Sequence, residues 1–370
     1  MNAAGKRFVV TIFGESHGEV VGVVADGVPP GVPFSEADVQ PALDRRRPGQ
    51  SLLTTQRQEA DRVRIRSGVL DGVTTGAPVL MEIANEDKRS QDYAALRDKP
   101  RPGHSDYPAR VRFDARNDPR GGGMFSGRLT AAWVMAGALA AKVLSAHGVE
   151  TAAHATRIGT VATDARLDVA AIRARVEATP ARCADEDAAK RMVDEVEAAR
   201  RDGDSVGGVV ECLVEGVPAG LGEPILDSVE ARLAHALYGV PAVKGVAFGD
   251  GFGLAAMRGS DARDAYYRDD EGRVRTRANH NGGVLGGITT GMPIRFSVAF
   301  KPTSSIPRNQ ETIDLATGEP AEILVKGRHD PCIVPRAVPV VEAVAASVML
   351  DVLLERIGMI GVAAPFQGLP

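Results

Sequence analysis

The chain has 370 residues, 44% of them hydrophobic and only 4% aromatic, with a formal net charge of −4. This supports a full core rather than a disordered chain, and balanced charge with few stacking rings excludes a general nucleic-acid binder. Three scattered cysteines, Cys183, Cys212 and Cys332, are too few for a disulfide framework or a zinc site and fit a reducing cytoplasm.

The N-terminal stretch lacks a long apolar run with a small-residue cleavage site, so no targeting segment is read there. Period-two patterning predicts strands over Arg7 to Phe13 and Val20 to Ala25, joined by the turn Gly14-Glu15-Ser16-His17-Gly18. A helix follows over Ser35 to Asp44, with Ser35 as N-cap and Asp38 three residues on. It ends in Arg45-Arg46-Arg47-Pro48-Gly49. A cationic last turn favours the helix dipole. Three consecutive arginines point in different directions, however, so at least one is available to an anionic ligand.

Strands are predicted over Arg62 to Gly68 and Ala77 to Ile83. Arg62, Arg64 and Arg66 alternate onto one exposed face, and Arg57 adds charge nearby. Arg101-Pro102-Gly103-His104-Ser105-Asp106 reads as a rigid turn holding a second histidine, which with His17 forms a candidate acid/base pair. The glycine-rich run Arg120 to Arg128 feeds a helix over Leu129 to Ser145 and presents backbone N–H groups to an anion. It has neither the Gly-Lys-Ser/Thr of a P-loop nor the strand context of a dinucleotide fingerprint. The helix itself is apolar on most faces, which predicts burial. Lys142 interrupts it and its length falls short of a bilayer span.

Thr163 to Asp204 reads as a solvated amphipathic helix without catalytic residues. A strand over Val206 to Val214 and a helix over Ser228 to Leu237 come next. Asp261 to Asn281 is polar and reads as a long mobile loop of the kind that forms lids. Asn279 to Gly291 is a second glycine-dense loop, for which a plain hairpin is the simple reading. After a strand over Ile294 to Ala299, Lys301-Pro302-Thr303-Ser304-Ser305 offers a cation and three hydroxyls to a phosphate. The turn Gly327-Arg328-His329-Asp330 precedes a last apolar helix over Val338 to Arg356, and Arg328 with Asp330 reads equally as an ion pair.

Two blocks recur. GESHGEVVGVVADGVPPG, residues 14–31, matches GDSVGGVVECLVEGVPAG, residues 203–220, in length and in four glycines, and GVTTGAPV at 72–79 matches GITTGMPI at 287–294. Ser16 matches Ser205 and Pro29 matches Pro218, but His17 matches Val206. Shared glycines and prolines set turns; the unmatched histidine points to chemistry in one copy only. The expected fold is α+β: an internally duplicated β-α-β sandwich with long central helices between two antiparallel sheets. It forms one domain over 1–370 with pseudo-repeat halves of about 7–150 and 200–358. The element order does not suit a parallel doubly wound sheet.

The ordered set GESHG with DGVPPG, DRRRPG, RSQDY, RPGHSDY, RGGG..SGR, GVPAGLGEP, AVKG, GDGF, GGI, KPTSSI and GRHDP resembles the chorismate synthase family, from about Phe8 to Leu354. The resemblance implies anti-1,4-elimination of phosphate from 5-enolpyruvylshikimate 3-phosphate, giving chorismate in the shikimate pathway, with reduced FMN, in a cytoplasmic homotetramer. It implies catalytic roles for His17, His104 and Asp330. Substrate binding falls to Arg46, Arg45, Ser126, Arg128 and Arg336. Flavin contacts fall to Met124, Phe125, Ser126, Pro241, Ala242, Gly286, Lys301, Pro302, Thr303, Ser304, Ser305 and Arg328. Met124-Phe125 stands where many members have arginine and a small residue, Leu129 where they have glutamate, Leu52 where some have an arginine linked to the reduced cofactor, and Pro241 where a polar residue is usual. With no dinucleotide fingerprint and no reductase domain, an external flavin reductant is expected rather than NADPH bound by this chain.

Two other readings use the same residues. One is a flavin or phospho-ligand binding protein that has lost its chemistry, with Met124 as the mark of loss. The other is a phosphosugar-processing enzyme without flavin. Retained yellow colour after flavin addition and desalting separates the last from the rest.

Overall fold

A computed structural model describes residues 2–50, 53, 59–86, 97–325 and 330–357. Arg57, Leu52, the RSQDY segment, Arg328 and His329 lie outside the described residues.

The first half runs β1 (Ala3–Ala4), β2 (Val9–Gly14), β3 (Val20–Asp26), α1 (Glu36–Arg46), β4 (Val63–Ile65), the short hairpin β5 (Val69–Leu70) and β6 (Val73–Thr74), β7 (Val79–Ala84), α2 (Asp106–Arg112) and α3 (Thr130–Ser145). Strands β1-β2-β3-β7-β4 form one antiparallel sheet. The chain continues through β8 (Glu150–Ile158), β9 (Val161–Ala162), α4 (Val169–Arg175), α5 (Glu186–Arg201), β10 (Gly208–Glu215), α6 (Val229–Tyr238) and β11 (Val243–Phe248). Three hairpin pairings then surround the last sheet strand: β12 (Tyr266–Arg268) with β13 (Val274–Thr276), β14 (Val284–Leu285) with β15 (Ile288–Thr289), and, after β16 (Ile294–Phe300), β17 (Asn309–Ile313) with β18 (Pro320–Leu324). The helix α7 (Val334–Ile357) closes the described fold. Strands β11-β16-β10-β8-β9 form the second antiparallel sheet.

Between the sheets, α3 and α7 pack on each other. Helix α3 lies on β2 and β3, and α7 lies on β8 and β10, giving the α+β sandwich that the patterning predicts. Gly137 makes the helix contact possible: a Cβ there would stand 2.3 Å from the Cα and Cβ of Ala343. By length and composition, Gly127–Ser145 and Val334–Arg356 are each sufficient to cross a membrane, so the expectation that the first is too short is corrected. Both are core helices here, with 78% and 94% of their apolar windows buried.

The two sheets repeat one plan. β8 holds beside β10 the place that β2 holds beside β3, and β16 the place of β7. The second sheet therefore draws on residues from Glu150, well before position 200. The recurrent threonines do matching work. Thr74 Oγ1 donates to the Pro29 carbonyl at 2.7 Å and accepts from Val32 N at 3.0 Å. Thr289 Oγ1 donates to the Pro218 carbonyl at 2.7 Å and accepts from Leu221 N at 2.9 Å.

Local signals hold in α1, where Ser35 and Asp38 form a capping box. Three segments depart from expectation. Helix α7 begins at Val334, not Val338, with Pro339 inside it. Proline lacks the N–H that would satisfy the Pro335 carbonyl; the buried Arg182 Nη1 donates to that oxygen instead, at 2.7 Å. Residues 163–204 hold two helices, α4 and α5, each capped by an aspartate, and α5 buries Ala188, Ala189, Met192 and Val196. Residues 261–281 contain the β12–β13 hairpin in place of the expected structureless loop. Its base is fastened by Asp264, which accepts from His280 N at 2.9 Å and Asn281 Nδ2 at 2.9 Å. A short two-stranded ribbon in which only Thr276 is buried has no apolar alternation to betray it in sequence.

Candidate active site

A cleft of about 740 Å³ opens where α3 and α7 both begin. Thr130 lines it from the first helix and Ile333, Arg336, Ala337 and Val340 from the second, so two positive helix ends converge on it. The other walls are the His104 turn, the glycine-rich loop, the end of α6 and the segment after β16.

The three arginines ending α1 part company. Arg45 pairs with Glu177 at 2.6 Å and with Glu342 of α7, and it does not line the cleft. Arg47 stays near Asp44. Arg46 turns into the protein and reaches the cleft wall, only 2% exposed. It donates to Thr130 Oγ1 at 3.1 Å, to the Gly127 carbonyl at 2.8 Å and to Asp61 Oδ2 at 3.1 Å. Arg128 takes the other oxygen of Asp61 and also donates to Asn85 Oδ1 at 2.8 Å. Asp61 is fully buried. Burial works to raise its carboxyl, but Arg46 and Arg128 outweigh it and hold the group below the ordinary range. Burial, then the nearby Arg336, lower the Arg46 guanidinium, which Asp61 opposes.

Arg336 pairs with Asp330 at 2.7 Å and donates to the Arg46 carbonyl at 3.3 Å. Asp330 thus finds a cation six residues along the chain; the expected Arg328–Asp330 pair lies outside the described residues. On the opposite wall, Lys301 Nζ donates to the Gly103 carbonyl. Burial and then Lys244 lower its ammonium. Arg46, Arg128, Arg336, Lys244 and Lys301 outnumber Glu59, Asp61 and Asp330 around the cleft, which leaves a cationic site suited to a ligand with several anionic groups.

The glycine-rich loop explains how two histidines meet. Gly121, Gly122 and Gly123 all have positive φ, at 60°, 84° and 52°. A Cβ on Gly121 would stand 2.4 Å from the His17 ring, and one on Gly122 would stand 3.3 Å from Cε1 of His104. His104 lines the cleft, whereas His17 lies behind Gly121, 5% exposed. The loop's glycines therefore serve close approach to imidazole rings. Ser126 caps the next turn, accepting from Arg128 N at 3.3 Å.

Met124, Phe125, Ser126, Pro241, Ala242 and Lys301 to Ser305 all line the cleft. Phe125 packs at 6.2 Å on Phe113, and Ala242 holds a φ of 72°. Gly286 is at the β14–β15 turn and does not line the cleft. Sequence reasoning missed Asp61 and Glu59, both buried, and Arg101 and Asp106 as a pair. The isolated aspartate at 61 carries no motif, and its partners lie in other elements.

The chorismate synthase family model matches residues 8–354. The chain belongs to the chorismate synthase family. It is 51% identical over 347 residues to a chorismate synthase of Korarchaeum cryptofilum, covering 94% of this chain and 96% of that one. Over 353 residues it is 51% identical to a chorismate synthase of Methanosarcina mazei, covering 95% and 96%. A solved structure titled "Crystal Structure of Chorismate Synthase" superposes with a TM-score of 0.76 at 27% identity, covering 96% of this chain and 94% of that one. Family and fold thus agree with the resemblance read from the ordered motifs.

Proposed function

We propose that the cleft catalyses anti-1,4-elimination of phosphate from 5-enolpyruvylshikimate 3-phosphate, giving chorismate, as a carbon–oxygen lyase that requires reduced FMN. The observation that carries this reading is the pairing of His17 and His104 across one glycine loop beside a cluster of arginines and lysines. The substrate has one phosphate and two carboxylates, and Arg46, Arg128 and Arg336 supply forked donors for such groups.

The cleft fits a flavin. Its walls combine the apolar Phe125, Pro241, Val240 and Val340 with the hydroxyls of Ser126 and Thr303 to Ser305. Thr303 Oγ1 is buried without a hydrogen-bond partner, a donor and acceptor that a ligand would satisfy. Met124, Phe125, Ser126, Pro241, Ala242 and Lys301 to Ser305 would hold the group, and Lys301 and Lys244 would offer cations to its phosphate. Reduced flavin supplies a transiently donated electron, with no net redox change.

The protein's own part is positioning and proton management. The arginines orient the substrate and disperse charge on the departing phosphate. His104 protonates the leaving phosphate, and His17, behind Gly121, sustains the reduced cofactor's protonation. Asp330, paired with Arg336, would assist at N5 of the flavin. Family membership supports a cytoplasmic homotetramer, and the lack of a dinucleotide fingerprint in the sequence favours an external flavin reductant.

Anaerobic phosphate release from 5-enolpyruvylshikimate 3-phosphate, with dithionite-reduced FMN and omission controls, tests the proposal. Phosphate together with chorismate absorbance, only when reduced FMN is present, is the expected result. Flavin binding with no phosphate release overturns it in favour of a binding protein, and release without flavin favours a phosphosugar enzyme.

A further inference from the structure

His104 is held by a carboxylate that the proposed reaction does not itself use. Asp106 Oδ1 lies 2.7 Å from His104 Nδ1. Arg101 grips the same carboxylate through Nε to Oδ2 at 2.8 Å, Nη2 to Oδ1 at 2.9 Å, and its own backbone N to Oδ2 at 3.0 Å. Its remaining nitrogen, Nη1, donates to Ser305 Oγ at 3.0 Å, which ties the assembly to the cleft segment after β16. Arg101 and Asp106 are nearly buried, with side chains 5% and 13% exposed.

Three groups approach His104 Nδ1, because Arg101 Nη2 also lies 3.0 Å from it and Ser105 Oγ 3.5 Å. Charge decides among them. Burial works to raise the Asp106 carboxyl, but the hydrogen bonds from Arg101 and His104 override it and hold the group well below the ordinary carboxylate range. An ionised carboxylate only accepts, so the proton of the 2.7 Å contact sits on Nδ1. The Arg101 nitrogen is then a flanking contact that donates to Asp106. The Cε1–Nε2 edge of the ring faces Gly122, where a built Cβ would stand 3.3 Å from Cε1 and 3.5 Å from Nε2.

We propose that Asp106, locked by Arg101, is a positioning residue that fixes His104 in the Nδ1–H tautomer and so presents Nε2 to the ligand as the proton-exchanging atom. The proposal rests on the acid/base reading of His104 given above. It gives the RPGHSD turn a purpose beyond rigidity, since the arginine and aspartate flank the histidine and close on each other. The logic is that of carboxylate–histidine pairs, where the second partner sets tautomer and ring orientation.

The test uses Asp106→Asn, Asp106→Glu, His104→Gln and the double variant His104→Gln/Asp106→Asn of the full chain, with ¹⁵N-labelled histidine. An amide can turn its NH₂ toward Nδ1 and release the other tautomer. Asp106→Asn is expected to shift the His104 ring-nitrogen resonances away from the Nδ1–H pattern. It should lower kcat by about 10- to 100-fold while KM stays within about two-fold, as for a group acting in the transition state. Asp106→Glu should recover part of the rate. In the His104→Gln background, Asp106→Asn should cost nothing further.

Unchanged His104 resonances in Asp106→Asn overturn the proposal. So does an equal loss of kcat in both backgrounds, which would make Asp106 a staple of the turn only. Normal turnover by His104→Gln would defeat the acid/base reading instead, and the resonances would still judge whether Asp106 sets the tautomer.

Discussion

His17 and Gly121 are in contact so close that one added methyl group has no room: the Cβ would lie 2.4 Å from both Cε1 and Nδ1 of the ring. The glycine serves the histidine. In the matching block the position of His17 is Val206, which bonds through its backbone N to the Pro331 carbonyl.

Gly121→Ala should therefore act on chemistry more than on folding. A left-handed alanine costs roughly 1–2 kcal/mol, but displacing His17 should lower kcat by about 100-fold, the lower range for loss of an acid/base group. Gly31→Ala is the control, since it has φ of 87° and open space around its Cβ. It should show similar strain and normal turnover. His17→Ala and His104→Ala should each lower phosphate release strongly with the fold intact; near-normal rates in both would remove the acid/base assignment.

Asp61→Asn should destabilise the protein markedly. It removes the shared counter-ion of Arg46 and Arg128, both nearly buried, and breaking a buried pair costs about 3–5 kcal/mol. Urea denaturation measures this. A loss below about 1 kcal/mol, the level of an exposed pair, would show that the arginines find water or another partner.

Acid should weaken the fold through the same carboxylates. Asp61 and Asp106 both titrate below their ordinary range when folded, against burial, because guanidinium groups hold them. Their contribution is complete above the unfolded aspartate value of about 3.9 and is lost as pH falls through the lower folded values. Stability should hold from neutrality to about pH 5 and drop below about pH 4. Urea titrations at several pH values check this, and Asp61→Asn should flatten part of the decline.

Thr74→Val and Thr289→Val should cost nearly the same. Each side chain is 3% exposed and each hydroxyl bridges a proline carbonyl and a backbone N–H. Leaving these groups unpaired costs about 1–3 kcal/mol. Thermal unfolding of the two variants measures it; very different losses would mean that the matched hydrogen bonds are not energetically equivalent.

Local chemistry was legible from the chain alone. Strand alternation, the Ser35–Asp38 capping box and the apolar character of α3 and α7 depend on neighbours a few residues away, so their signals survive without coordinates. The ordered motifs carried the family as well. Tertiary structure alone decided which of three consecutive arginines turns inward, because the choice depends on Asp61, Glu177 and Glu342 in distant elements. It also decided that Asp330 pairs with Arg336, and that Arg182 compensates the proline inside α7. Burial is a property of packed layers, and a buried charge must find its partner wherever packing brings one, at whatever distance along the chain.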